Sequence, residues 1–427
     1  NGDIYLEAKL IYEKISHPSD ILSYEFPEGM PGAHLYDVIL KRQRSNTVNV
    51  DDDNLIDYIY EYLSSIYLSK KLLIEFNPDI VALSHGHSIQ CGPMAYLATK
   101  AGIKTLILFG GFGVPRFLNF KTTDDLYFGI PHPPRKDLES IEDSRIESFQ
   151  KIGTNYLKNR IKGKFKDLDF GGRLAYGKNK KKLDLISQKD INKKVISVYI
   201  SNWFDVPHLF GMNRFLDILE WTKATIEEAS KNKDVIWLIK PHPAEEWYAG
   251  PSLKESLAID FPNNIILLPN NYSGKSVMES SDALVTFHGT SAIEFAASGK
   301  PVLVADKGWY HDCDFVLFPE SREDYLKILK TNWYENVNIE RTKEKARLFA
   351  GVYFGMTSWQ GNAILPDDVD KEKIRKILPK FIKKYKSTIK KEIQNIKGWI
   401  ENGSIDYHTY KNIKAKKNRV QKDISFK

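Results

Sequence analysis

A histidine, a glycine and two hydroxyl-bearing residues follow a short apolar run in the second half of the sequence. The run at 283–287 predicts a buried strand, and 291–298 predicts a helix that Gly299 ends. Free N–H groups at a helix start attract anions, so this turn is typical of a phosphate site. The alternative is an ordinary capping box at the helix start. The candidate ligand contacts are His288, Gly289, Thr290, Ser291 and Glu294.

A second group of polar residues ends the predicted strand at 235–240. Lys240 and His242 lie in the sequence Lys-Pro-His-Pro at 240–243, where the two prolines restrict the backbone. A fixed imidazole beside a lysine suits a phosphate oxygen. The alternative is an ordinary turn whose exposed histidine binds no ligand. Since this strand and the one before His288 belong to one predicted sheet, their ends are expected to meet.

A third loop follows the predicted strand at 195–200. It contains Asp205, a candidate nucleophile or base, and His208, a candidate ligand contact. Asn, Asp and Pro are also favoured turn residues, so a purely structural turn is the alternative.

His85 and His87 follow a short apolar run at 80–84, far from the other motifs in sequence. Two histidines separated by one residue could ligate a metal, but further ligands are not evident from the sequence. Cys91 and Cys313 are far apart and do not suggest a zinc site. We therefore expect no metal site, and expect these histidines to act in acid/base chemistry or hydrogen bonding on the acceptor side.

Strands and helices alternate in two parts of the chain, which predicts an α/β fold with parallel sheets. The first part, 70–110, contains strands at 80–84 and 104–109 with a helix at 93–101 between them. The second contains a helix at 212–231 and further strands at 265–268 and 301–305. We expect domains at 1–190 and 191–370, with a cleft between them, followed by basic helices at 371–427. Ligands of such sheets bind beyond the carboxyl ends of the strands.

Composition excludes several classes of protein. The chain has 427 residues, 42% of them hydrophobic and 27% charged, which is ordinary globular usage and argues against disorder. Its two cysteines argue against a disulfide scaffold and fit a reducing, cytoplasmic compartment. No apolar run is long enough to span a bilayer.

The net charge of +7 is concentrated at the end of the chain. Residues 371–397 carry +9 and residues 411–427 carry +6, which leaves the remainder at −8. Apolar residues recur in 374–400 at helical spacing, so the segment is amphipathic. Either this face packs on the body of the protein, or it contacts an anionic membrane. No nucleic-acid-binding motif is present, and we expect no nucleic-acid partner.

The sequence at 240–243 and the stretch 281–302 together resemble the donor domain of a GT-B glycosyltransferase. The resemblance covers roughly residues 195–310. A similar His-Pro motif with a Ser/Thr-rich helix start occurs in Kdo transferases, bacterial sialyltransferases and teichoic-acid glycerophosphotransferases. We consider the chain most similar to the Kdo type, which uses a CMP-linked ulosonic acid.

The resemblance implies two Rossmann-like domains that face each other across a cleft. It implies that His242, Thr290 and Ser291 hold the donor phosphate without a metal or other cofactor. Asp205 would be the catalytic carboxylate, and His85 or His87 would face an oligosaccharide or glycolipid acceptor. The chain would then act at the inner face of the plasma membrane. A glycerophosphotransferase, a sugar-nucleotide epimerase and a non-catalytic nucleotide- or carbohydrate-binding module are the alternatives.

Overall fold

The computed structural model describes residues 2–109, 116–127, 132–133, 135–164, 170–177, 192–245, 250–257, 261–355, 371–402 and 407–408. The predicted boundary near residue 190 and the basic stretch at 411–427 lie outside these ranges.

Nine strands and sixteen α-helices occur in the described ranges. The strands are β1 (Ile80–Leu83), β2 (Lys104–Phe109), β3 (Arg116–Phe120), β4 (Lys194–Tyr199), β5 (Val235–Lys240), β6 (Ile265–Leu267), β7 (Ala283–Thr286), β8 (Val302–Val304) and β9 (Tyr407–His408). The helices are α1 (Gly2–Tyr12), α2 (Pro18–Ser23), α3 (Gly32–Gln43), α4 (Leu55–Phe76), α5 (Cys91–Lys100), α6 (Arg135–Glu139), α7 (Asp143–Ile161), α8 (Phe170–Tyr176), α9 (Ile218–Ala229), α10 (Leu253–Leu257), α11 (Gly274–Ser280), α12 (Ser291–Ala297), α13 (Arg322–Ile328), α14 (Ile339–Gly355), α15 (Lys371–Lys384) and α16 (Lys386–Asn402).

The second sheet is parallel throughout, in the order β6-β5-β4-β7-β8. Its strands are apolar runs, and every residue of β5 and β7 is buried, as expected of a sheet covered by helices on both faces. The chain runs outward from β4 to β6 and then returns to β7 on the other side of β4. Strand order therefore reverses between β4 and β7, and a crevice for a ligand forms at such a point.

The first sheet has the order β1-β2-β3-β9 and is mixed. β1 and β2 are parallel as predicted, but β3 and β9 join antiparallel. Only six residues separate β2 from β3, whereas a parallel crossover needs a dozen or more. The α/β class with two sheet-based halves is confirmed, and the first half differs from a fully parallel sheet.

The largest buried core joins the N-terminal helices to the second sheet. It contains Tyr36 of α3 and Tyr62 of α4 together with Trp221 of α9 and Trp237 of β5. The helical layer α1–α4 therefore packs against the second half of the chain. One helix of this layer, α3, contacts the loop that follows β4.

A further connection between the halves is the close packing of α7 on α14. A Cβ atom added at Gly153 would lie 2.2 Å from the carbonyl oxygen of Arg347, and one at Gly351 would lie 1.9 Å from that of Phe149. Only glycine permits this approach of two helix backbones. α14 also packs against α12, so the close helix pair supports the helix that follows β7.

The basic helices α15 and α16 are partly docked and partly exposed. Trp399 is buried against Leu106 of the first sheet, so the predicted packing on the body occurs at this end. Leu378, Ile382 and Ile393 are exposed. Within the described residues, no helix is long and apolar enough to cross a membrane.

Candidate functional site

Three parallel strands bring candidate residues to one edge of the second sheet. Asp205 follows β4, His242 follows β5 and His288 follows β7, and β4 lies between the other two. Because carboxyl ends of parallel strands share an edge, residues distant in sequence converge at the point where strand order reverses.

Two side chains of the loop after β8 hold the backbone at His288 and Gly289. Trp309 Nε1 donates to the carbonyl oxygen of His288 at 3.0 Å, and the Tyr310 hydroxyl donates to that of Gly289 at 2.7 Å. Burial, followed by the nearby His242, lowers the pKa of His288 to about 3. The ring is therefore neutral at pH 7. In the described part of the chain its Nδ1 has no hydrogen-bond partner.

The hydrogen bonding of His242 sets its tautomer. The backbone N–H of Ala244 donates to Nδ1 at 3.2 Å, so the proton of the neutral ring lies on Nε2, which can donate to a ligand. Burial, followed by the charge of Lys240, lowers the pKa of His242 to about 4. Its side chain also lines a pocket between the ends of β4 and β5, beside Trp203 and Phe204.

Asp205 lies in a strained loop. Val206 has φ of +48°, a left-handed conformation that is rare for a β-branched residue and that surrounding contacts must enforce. Asp205 is exposed to solvent but has protein around it, and the partial loss of water raises its pKa. The nearby Lys41 opposes this rise and Asp37 adds to it. An accessible carboxylate with a raised pKa suits acid/base or nucleophilic chemistry.

The first sheet contributes His85 and His87 from the end of β1. Their rings are 4.8 Å apart, and Nδ1 of His85 is 2.8 Å from the Ser84 hydroxyl. Burial, then His85 and Lys41, lowers the pKa of His87 to about 4. The Phe210 ring lies 6.4 Å from that of His87 and 5.2 Å from that of His288. The two strand ends thus face each other across Phe210.

Helix α3 supplies a group of residues that sequence reasoning missed. His34, Asp37 and Lys41 follow one another at spacings of three and four, the spacing of one helical face. Lys41 acts electrostatically on both His87 and Asp205, whereas Asp37 is buried against His208. The spacing of titratable residues was the available signal, but only the tertiary structure shows where that face points.

The turn before α12 does not use the predicted caps. Thr290 is the N-cap residue, but its side chain makes no capping hydrogen bond, and none is found for the Ser291 side chain among the described residues. α12 has only seven residues, so its dipole is weak. Both hydroxyls lie at the half-buried edge beside Gly289 and His288.

Two residues predicted to contact the donor are instead bound within the protein. Glu294 is 3% exposed and accepts hydrogen bonds from Arg160 Nε at 2.6 Å and from the Tyr176 hydroxyl. Both carboxylate oxygens are thus occupied. Lys240 is also 3% exposed, and its Nζ lies 3.5 Å from the carbonyl oxygen of Tyr272. The contacts of Lys240 and Glu294 are therefore structural, within the protein.

Within the described ranges, no cluster of three or more His, Cys, Asp or Glu side chains has the geometry of a metal site. The histidine pair at 85 and 87 has no carboxylate or thiol completing such a set there.

No protein-family model and no curated protein matches the chain. Among solved structures, it is similar to two Kdo transferases of Thermosulfurimonas dismutans KpsC. The beta Kdo 2,7 transferase has 15% identity over 67% of this chain and 81% of that one, with a TM-score of 0.40. The beta Kdo 2,4 transferase has 11% identity over 64% and 78%, with a TM-score of 0.39. The UDP-GlcNAc 2-epimerase of Neisseria meningitidis has 15% identity over 83% and 92%, with a TM-score of 0.29. These are likenesses of outline, and no residue role is carried over from them.

Proposed function

We propose that this protein is a glycosyltransferase that binds a nucleotide sugar in the cleft between its two sheets. The observation that carries the proposal is the convergence of His242 and His288 at the reversal of strand order, opposite His87. Two neutral imidazoles can donate to phosphate oxygens, and an exposed carboxylate lies on the loop between them. His85 and His87, at the end of β1 on the opposite side of the cleft, could contact an acceptor hydroxyl.

In this proposal His242 and His288 hold the donor phosphate, with Thr290 and Ser291 adding hydroxyl donors. Asp205 is the catalytic carboxylate, a nucleophile if configuration is retained and a base if it is inverted. The favoured donor is Kdo or a related ulosonic acid linked to CMP, because the sequence motifs resemble those of Kdo transferases. The acceptor is an oligosaccharide or glycolipid of a bacterial surface polysaccharide.

A transfer assay with CMP-Kdo and Kdo-terminated oligosaccharides tests this proposal. The wild type should extend the acceptor and release CMP, and Asp205→Asn should bind CMP normally while losing turnover by about 100-fold or more. If Asp205→Asn transfers sugar as fast as the wild type, Asp205 is not the catalytic carboxylate. Binding of nucleotide without transfer or epimerisation would favour a non-catalytic module.

The same assay separates the remaining alternatives. Interconversion of a UDP-sugar without an acceptor would indicate an epimerase, and release of CMP from CDP-glycerol with extension of a polyol phosphate would indicate a glycerophosphotransferase. Either result would overturn the proposal of sugar transfer.

We also propose that α15 and α16 hold the protein against an anionic membrane surface. The support is the charge of +9 over residues 371–397 beside the exposed side chains of Ile382 and Ile393. Binding to vesicles containing phosphatidylserine should exceed binding to neutral vesicles and should fall with salt. Replacing both isoleucines by serine should weaken it, and equal binding by the variant and wild type would contradict the proposal.

A further inference from the structure

A buried ion-pair geometry ties α3 to the loop that carries Asp205. Asp37 is fully buried and His208 is 3% exposed, and His208 Nδ1 lies 2.7 Å from Asp37 Oδ1. The backbone N–H of Leu209 donates to Asp37 Oδ2 at 3.0 Å. One carboxylate therefore holds both the side chain of His208 and the backbone beside it.

The pair fixes the orientation of the imidazole. Because a carboxylate only accepts, Nδ1 carries the hydrogen of this bond, and the ring packs edge-to-face on Tyr36 at a centroid distance of 4.9 Å. In the described residues, no partner is found for His208 Nε2. Because Nε2 is buried, substrate does not reach it in this arrangement. The nitrogen that can influence the site is therefore Nδ1, which is bonded to Asp37.

The loop between β4 and this pair needs such a restraint. At one end, Asn202 Oδ1 accepts from the backbone N–H of Phe204 at 3.0 Å, and at the other end Asp37 holds His208. Between these anchors lie Asp205 and the left-handed Val206. An unfavourable φ of this kind persists only when the surrounding contacts enforce it.

We infer that His208 is a positioning residue that, through its Nδ1 bond to Asp37, holds the Asp205 carboxylate at the reacting centre. The inference rests on the proposed function, because Asp205 is assigned its catalytic role there. α3, outside the second sheet, thereby becomes part of the machinery of the site. Misplacement of a reacting group by about 1 Å costs about 100-fold in rate, and this is the size of effect expected from loss of the bond.

Two substitutions at one position separate positioning from chemistry. In His208→Asn, the amide nitrogen takes the place of Nδ1 and can still donate to Asp37, but Nε2 is gone. In His208→Ala, the donor is lost as well. We expect kcat to fall about 100-fold in His208→Ala with the donor KM nearly unchanged, and we expect His208→Asn to restore kcat to within about fivefold of the wild type.

A double variant and a control complete the experiment. Asp37→Ala with His208→Ala should lower kcat by less than the product of the two single effects, because Asp37 and His208 share one side-chain bond, whereas the bond from the backbone N–H of Leu209 is lost only with Asp37. Tyr325→Phe, which removes a buried hydroxyl bonded to Trp221 and Thr225 away from the cleft, should lower the melting temperature without changing kcat. All rates are compared at a temperature where circular dichroism shows each variant folded.

The outcomes are distinguishable. Wild-type activity in His208→Ala would overturn the positioning role while leaving the proposed function intact. Equal inactivity of the Asn and Ala variants would also overturn it, since Nε2 would then be the atom required. Absence of transfer by the wild type would instead refute the proposed function.

Discussion

The hydrogen bonding of His242 allows its role in donor binding to be tested atom by atom. Nδ1 accepts from the backbone of Ala244, so Nε2 carries the proton that would meet a phosphate oxygen. In His242→Gln, the amide nitrogen replaces Nε2 and keeps this donor. In His242→Asn, the shorter side chain reaches only the Nδ1 position, and the donor is lost.

The expected magnitude follows from the charge of the ligand. A hydrogen bond to a charged group contributes about 1.5–3 kcal/mol, which corresponds to about 10- to 150-fold in affinity. Isothermal titration with CMP at pH 7.5 should therefore show this loss in His242→Asn and only a small loss in His242→Gln. Burial, followed by the charge of Lys240, keeps this ring neutral at that pH, with a pKa of about 4, so the proton on Nε2 is the only one that it can donate to the phosphate.

Equal CMP affinity in the wild type, the Gln variant and the Asn variant would refute the assignment of Nε2 as a phosphate donor. A loss in the Gln variant alone would point to the Nδ1 contact with Ala244, and hence to loop structure rather than ligand binding. Melting curves without ligand show whether either substitution has altered the fold.

Three further predictions concern stability. Glu294→Gln leaves Arg160 buried without its carboxylate and should cost about 3–5 kcal/mol in urea unfolding, so a change below about 1 kcal/mol would contradict the structural role of the pair. Burial lowers the pKa of His34 from 6.5 to about 3, so the unfolded chain binds a proton below pH 6.5 that the folded one does not. The wild type should lose about 2 kcal/mol more than His34→Gln between pH 7 and pH 5, and parallel pH curves would refute this. Gly351→Ala should lower the free energy of unfolding by about 1–3 kcal/mol, because its Cβ would lie 1.9 Å from a backbone oxygen. The control Gly398→Ala, with open space around it, should be neutral or stabilising. Equal effects of the two substitutions would contradict the close packing of α7 on α14.

Most strands were predictable because buried strands are short apolar runs bounded by breakers. β2 and β5 have the predicted bounds, and β1, β4, β6, β7 and β8 differ by one residue at one or both ends. The predicted helix at 212–231 begins later, at Ile218, because the Asp217 side chain caps it through the backbone N–H of Glu220. The preceding residues are bound by Asp306 instead, a contact between distant parts of the chain.

The candidate site was predictable where parallel topology alone decides position. Asp205, His242 and His288 meet because parallel strands end together. The internal contacts of Lys240 and Glu294 were not predictable, because they depend on side-chain direction and on distant partners. Arg160, for example, lies 134 residues from Glu294 in sequence. The α3 face was missed for the same reason, since a helical spacing does not show which surface the helix covers.

The most direct test of the central claim is a thermal-shift panel with CMP, CDP, UDP and GDP at equal concentration. A ligand that binds the folded state raises stability by RT ln(1 + [L]/Kd), which is about 2.7 kcal/mol at 100 times Kd. We expect CMP to give the largest rise in melting temperature and His242→Asn to reduce that rise. A larger rise with UDP or GDP would contradict the CMP-linked donor, and no rise with any nucleotide would contradict the donor site itself.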